Sequence, residues 1–312
     1  MNKPEITISI NPSYFCNFDC SFCYLTTEQL ADRTLLDINT LELKLIEVSQ
    51  IYQIVCIDIY GGEIALLTEE YLNALIDLSK KHTSDINLIT NLSRIHPSFL
   101  RSDISLSVSW DGPIRRKSDI VFENLLALNR EVNLLMLAGP EMLSWSSDEI
   151  KNIISQLNTV NSIRSVEIKP YSSNQANNYS ISYLEFEEFL KVWFPAEKNF
   201  VFVNQEKLEG VFRGTSHSFS DDHLYINPEG QFCVLDFDQG DNEEFVPLKE
   251  FSDYLDWSNR EKVKIANNSF CSQCEYLGSC LSEHLREVKN LDNSCNGFKL
   301  LIDWYKSERL QS

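Results

Sequence analysis

The stretch Cys16-Asn17-Phe18-Asp19-Cys20-Ser21-Phe22-Cys23-Tyr24 decides how the chain is read. It follows closely on Ile6–Ile10, whose β-branched alternation predicts a first strand. Three thiols spaced C-x3-C-x2-C on one short loop can hold three corners of an iron–sulfur cube and leave the fourth iron open. A structural zinc site normally closes with four protein ligands. Zinc here would need a distant fourth ligand, and the remaining alternative is three unrelated cysteines.

Outward from that loop, short apolar runs alternate with amphipathic stretches. Ile54 to Tyr60, Ile86 to Thr90, Ile104 to Ser109, Val132 to Ala138 and Ser165 to Lys169 are further strand candidates. Leu36 to Gln50, Thr68 to Lys80, Asp119 to Asn129 and Ser147 to Leu157 have helical spacing, the first with Asp37 or Asn39 as cap. The stretch after Ile86 is poor in helix. Six strands with intervening connections predict an α/β chain with a parallel sheet or partial barrel. Beyond Pro170 the pattern changes. Ser172 to Ser182 reads as a linker or active-site loop, and Tyr183 to Phe194 as a helix. His223 to Leu235 reads as a hairpin around Asn227-Pro228-Glu229-Gly230. Helices are expected over Leu248 to Ala266 and Gly297 to Lys306. The expected division is a barrel over residues 1–175, a linker and helix over 176–222, and an extension over 223–312.

The cysteine loop in this setting resembles the radical S-adenosylmethionine superfamily over roughly residues 6–170. That resemblance implies a partial (β/α)6 TIM-like barrel and a [4Fe–4S] cluster on Cys16, Cys20 and Cys23. It also implies S-adenosylmethionine on the open iron, cleaved by an electron from the cluster to a 5′-deoxyadenosyl radical that abstracts hydrogen from substrate. Tyr24 matches the aromatic position beside the third cysteine. Tyr60-Gly61-Gly62-Glu63 resembles the family's segment that contacts the methionine amino group. Glycines allow close backbone approach, and a carboxylate suits an ammonium. Ile64 stands where many relatives carry proline. By the same resemblance Asn91 ends the third strand as a polar contact. Ser107, Ser109 and Asp111 face ribose or substrate, Met136 and Leu137 border adenine, and Lys169 faces the methionine carboxylate or substrate. The competing readings are ordinary barrel packing and a turn for Ser107, Ser109 and Asp111, core packing for Met136 and Leu137, and a solvent-facing side chain for Lys169.

A second group, Cys271, Cys274, Cys280 and Cys295, is spaced C-x2-C-x5-C-x14-C. Four soft ligands suit zinc or a second [4Fe–4S] cluster, and spacing alone does not separate them. The region resembles the SPASM/twitch extension of peptide- and protein-modifying radical enzymes, whose segment runs C-x2-C-x5-C-x3-C. His284 stands at the fourth position here, and only Cys233 remains near the hairpin. The resemblance therefore implies two [4Fe–4S] clusters, one at the S-adenosylmethionine site and one auxiliary. Cys56, inside the second apolar run, is expected to be a core cysteine.

The chain has 312 residues, 43% of them hydrophobic, enough for a large core without disulfides. Lysine plus arginine is 27 and aspartate plus glutamate 46, so the net charge is -19. That balance argues against a nucleic-acid groove. No run has the length of a membrane span and no signal-peptide core opens the chain, so a cytoplasmic protein with reduced thiols is expected. The resemblance implies a maturase acting on a ribosomally made precursor peptide by crosslinking, epimerisation or backbone excision. A flavodoxin or ferredoxin would be the electron donor. No separate peptide-recognition domain is expected before the first strand, so a leader would bind the barrel, the extension or an accessory protein, with a strand edge of the hairpin as one docking place. His217, Asp236 and Asp238 are candidate acids or bases. Two alternatives stand beside this reading: a radical enzyme acting on a small molecule, and a non-catalytic metal-binding partner protein.

Overall fold

The computed structural model describes residues 3–177, 179–238, 240, 242–282 and 295–311. Six parallel strands build the first half: β1 (Glu5–Ile10), β2 (Gln53–Ile59), β3 (Ile86–Thr90), β4 (Ser105–Ser109), β5 (Val132–Ala138) and β6 (Ile163–Pro170). Between them run α1 (Thr27–Ala31), α2 (Ile38–Ile51), α3 (Glu69–Ser79), α4 (Ser118–Ala127), α5 (Pro140–Leu143) and α6 (Ser147–Asn158). Only a short 3-10 turn, Pro97–Leu100, joins β3 to β4. Side-chain caps start the longer helices. Asp37 accepts from the Thr40 amide at 2.8 Å, and Ser146 with Glu149 closes a capping box on α6.

Alternation along the strands separates two environments. Ile8, Ile57, Leu88, Val108, Leu134 and Val166 are fully buried under the helices. Ser9, Asp58, Asn87, Ser107, Asn133 and Ser165 occupy the opposite, concave face, where Asn87 donates to Asp58 at 2.8 Å and Ser107 donates to Asn87 at 2.9 Å. This is the partial TIM-like barrel that the sequence predicts. Cys56 departs from its expectation. It lies on the polar face with Asp58, half-buried, and burial pushes its thiol up to about 12.

The rest of the chain extends the same sheet. After α7 (Tyr183–Trp193), β7 (Val201–Phe202) and α8 (Val203–Arg213), strand β8 (His223–Ile226) pairs parallel with β1, from Thr7↔His223 to Ile10↔Ile226. β9 (Phe232–Phe237) and β10 (Glu243–Pro247) follow antiparallel. The order is β10-β9-β8-β1-β2-β3-β4-β5-β6-β7. The expected hairpin edge is therefore occupied: β8 and β9 have neighbours on both sides, and the outer strand is β10. Even there, Glu243 exchanges backbone bonds with Ser173 and Gln175. α9 (Phe251–Asn267) and α10 (Lys299–Gln311) close the extension. Among the described residues no helix is long and apolar enough to cross a membrane.

Candidate cofactor and active site

β1 delivers the chain to the cysteine loop, and β2 fixes the loop's stem. The Gly62 amide donates to the Ser13 carbonyl and the Glu63 amide to the Phe15 carbonyl, both at 2.9 Å. A Cβ on Gly61 would lie 2.3 Å from the Ser13 oxygen, and one on Gly62 would lie 2.2 Å from the Tyr14 oxygen. The glycines are thus used for contact with the stem of the loop. In this structure their small size serves the loop's own backbone.

The cysteine sulfurs receive the N–H donors that a metal–sulfur site uses. The Phe18 amide points at Cys16 Sγ and the Leu25 amide at Cys23 Sγ, each at 3.4 Å. The Asn91 side-chain amide stands 3.8 Å from Cys16 Sγ. Burial raises all three thiols, Cys16 to about 11. Three half-buried thiols on one loop, two of them receiving backbone N–H groups, fit a cluster held from one side.

Glu63 is buried and ties β2 to the end of β3. Its Oε1 accepts from the Thr90 hydroxyl at 2.5 Å and the Ala65 amide at 2.7 Å, and its Oε2 accepts from the Asn91 amide at 2.6 Å. Burial raises its pKa, opposed by these bonds and by Arg115. A carboxylate offers about four acceptor positions, so one remains for a cation.

Cys271, Cys274, Cys280 and Cys295 all line one cavity of about 490 Å³, counted with its open mouth, together with Phe219 and Phe270. Gly297 closes one side; a Cβ there would come within 2.9 Å of Cys280 Sγ. All nine cysteines are free thiols. Among the described residues no three such ligands are drawn around one point as a single ion requires. His284 lies outside the described residues.

No protein-family model matches the chain, and no curated protein matches it by sequence. Solved structures do. Native anSMEcpe with bound AdoMet and the Cp18Cys peptide superposes with a TM-score of 0.69 at 16% identity, over 99% of this chain and 98% of that one. The chain shares the fold of anSMEcpe over almost its whole length. SuiB from Streptococcus suis bound to S-adenosylmethionine matches at 0.66 and 15% identity, over 89% of this chain and 72% of that one. SuiB bound to the precursor peptide SuiA matches at 0.61 and 16%, over 89% and 71%.

Of the residues nominated from the sequence, Gly61, Gly62, Glu63 and Asn91 contact the cysteine loop or its stem. Ser107, Ser109 and Lys169 share the concave face. Tyr24 packs on Phe245 with ring centres 5.1 Å apart, and its hydroxyl is buried without a partner. The polar loop after β6 grips the cysteine loop: Asn177 donates to the Cys23 carbonyl at 2.8 Å and Gln175 to the Tyr24 carbonyl at 3.1 Å.

Met136 is elsewhere. The parity of β5 turns it into the helix-side core, 1% exposed, and presents Leu135 and Leu137 to the concave face. Asp111 lies past the end of β4, buried in an ion pair with Arg115. Asp236 and Asp238 bond Trp257 and Asn242 in the hairpin region, and His217 pairs with Asp221. Cys233 is buried with Tyr225 and Leu235, packed by Tyr60, Phe237 and Phe245, apart from the four-cysteine cavity. Sequence reading missed Asp58 and Arg115. For Asp58 the available signal was its parity with Tyr60; Arg115 carried none, because a run of cations reads as exposed.

Proposed function

We propose that this chain is a radical S-adenosylmethionine enzyme that modifies a ribosomally made peptide. The observation that carries the reading is the near-complete superposition on anSMEcpe, extension included, in a structure that holds both AdoMet and a peptide. Cys16, Cys20 and Cys23 would hold the first [4Fe–4S] cluster. The four thiols Cys271, Cys274, Cys280 and Cys295 would hold an auxiliary one. With S-adenosylmethionine bound, the first cluster would supply the one electron that cleaves the sulfonium C–S bond to methionine and a hydrogen-abstracting 5′-deoxyadenosyl radical.

The protein's own groups have separable tasks in this reading. Glu63 offers its remaining acceptor position to the methionine ammonium, and Asn91 orders that carboxylate and Cys16 together. Gly61 and Gly62 hold the loop stem against β2. Ser109 and Lys169 provide polar contacts at the barrel mouth, and Asp58, Asn87 and Ser107 provide a hydrogen-bonding floor for an extended peptide. The Ser172–Ser182 loop holds Tyr24 and Cys23 from outside and limits water at the mouth. Four thiols around one cavity leave no ligand position for substrate, which suits electron transfer. Reduced thiols and reductive cleavage both fit a cytoplasmic enzyme fed by a flavodoxin or ferredoxin.

The test is anaerobic incubation of the reconstituted enzyme with S-adenosylmethionine, reductant and short peptides encoded beside its gene, followed by mass spectrometry. Loss of two hydrogens, backbone loss or solvent-deuterium gain supports the reading and separates crosslinking, excision and epimerisation. Unchanged peptides, with turnover stimulated by a small metabolite, would overturn it in favour of a small-molecule substrate.

A further inference from the structure

Three consecutive cations, Arg115-Arg116-Lys117, lie in the connection from β4 to α4, just past the Asp111-Gly112 turn. Each one engages a different spacer residue of the C-x3-C-x2-C loop. The Arg115 guanidinium lies 5.9 Å from the centre of the Phe22 ring, and the Lys117 ammonium 5.3 Å from that of Phe18. Arg116 pairs with the Asp19 carboxylate. A chain of net charge -19 thus places three neighbouring cations on the loop expected to carry the first cluster.

Arg115 differs from its neighbours in burial. It is 8% exposed, and Asp111, its partner at 2.5 Å, is 1% exposed. The second Asp111 oxygen accepts from the Leu137 amide at 2.6 Å, which pins the carboxylate to β5. Arg115 Nε is buried with no partner, so one guanidinium donor is uncommitted. Phe22, whose ring it faces, directly precedes Cys23 in the loop. A buried ion pair is weak evidence for stability, because desolvation offsets much of its attraction. A role toward the neighbouring thiols accounts for the burial better. Local charge and hydrogen bonding are the protein's means of setting the potential of an iron–sulfur group.

We propose that Arg115 is a positioning residue that sets the reduction potential of the group held by Cys16, Cys20 and Cys23, with Asp111 fixing its place and Arg116 and Lys117 clasping the loop. The inference rests on the cluster assignment given above. Removing the cation favours the oxidised group, whereas removing the neighbouring carboxylate charge favours the reduced one. The two substitutions therefore act in opposite directions, and a purely structural role does not produce that pattern.

The experiment is an EPR-monitored redox titration of the reconstituted holoenzyme. The signal of interest is the one lost in Cys23→Ala. Arg115→Gln should lower its midpoint by at least a tenfold change in the reduction equilibrium, about 59 mV for one electron. Asp111→Asn should raise it, and Arg115→Lys should restore most of the wild-type value. Shifts of the same sign in Arg115→Gln and Asp111→Asn, or an unchanged midpoint in Arg115→Gln at full iron content, overturn the proposal alone. A wild-type protein with no signal sensitive to Cys23→Ala overturns the cluster assignment and the proposal with it.

Discussion

Asn91 holds Glu63 with its backbone and faces Cys16 with its side chain: its amide N–H lies 2.6 Å from the Glu63 carboxylate and its Nδ2 3.8 Å from the Cys16 sulfur. The end of β3 therefore sets the carboxylate and the first thiol relative to each other. Asn91→Ala keeps the backbone bond and removes the contact to sulfur together with the side-chain bonds to Asn17 and the Ser93 amide. The expected result is a loss of about 1 kcal/mol in denaturant unfolding, with iron retained and 5′-deoxyadenosine formation slowed severalfold.

Gly62→Ala should disrupt the stem of the cysteine loop. Its new methyl group would meet the Tyr14 and Phe15 carbonyl oxygens at 2.2 and 2.3 Å. Overpacking against backbone of this kind costs roughly 1–3 kcal/mol. A lowered melting temperature and reduced iron uptake should appear together. Gly139→Ala, where nothing lies within 4 Å of the added atom, is the matched control.

Iron analysis should find about eight atoms per reconstituted chain. Changing Cys16, Cys20 and Cys23 together to alanine should remove about four and abolish 5′-deoxyadenosine formation. Changing Cys274 should remove the other four or so while the first cluster stays visible by EPR. Stoichiometric zinc beside four iron atoms would instead identify the four-cysteine cavity as a zinc site.

Glu187 predicts a pH dependence. It is buried on α7, its Oε2 has no partner, and burial raises its pKa from 4.5 to about 7 despite the nearby Lys191. Between those two values the folded chain holds a proton that the unfolded chain has released. Stability should therefore fall as pH rises from about 5 to 7.5, by roughly 2 kcal/mol. Glu187→Gln should flatten that slope in denaturant titrations run across the same range.

Strand parity made much of the barrel legible. Val132–Ala138 and Ile86–Thr90 are bounded in the structure as their apolar runs predict. Parity also explains the misplacement of Met136: one residue along β5 exchanges the concave face for the core. α8 escaped notice because VNQEKLEGVFR has few apolar positions and a glycine within it. β10 is two glutamates and three further residues that become a strand by pairing with β9. The two cysteine groups were visible from spacing, because ligand chemistry requires particular residue types. The burial of Arg115 was not visible, because a cation beside two others reads as solvated surface until the cysteine loop is folded over it.

The pairing of β8 with β1 has a consequence for inheritance. A segment that supplies the flanking strand of its neighbour's sheet is not a detachable cassette. Truncation before His223 would strip β1 of a parallel partner and leave the Thr7–Ile10 backbone as a bare edge, a template for aggregation. Gene fusion or recombination at that boundary would be selected against unless the incoming piece brought its own matching strand. The first strand of the extension thus completes the sheet of the barrel.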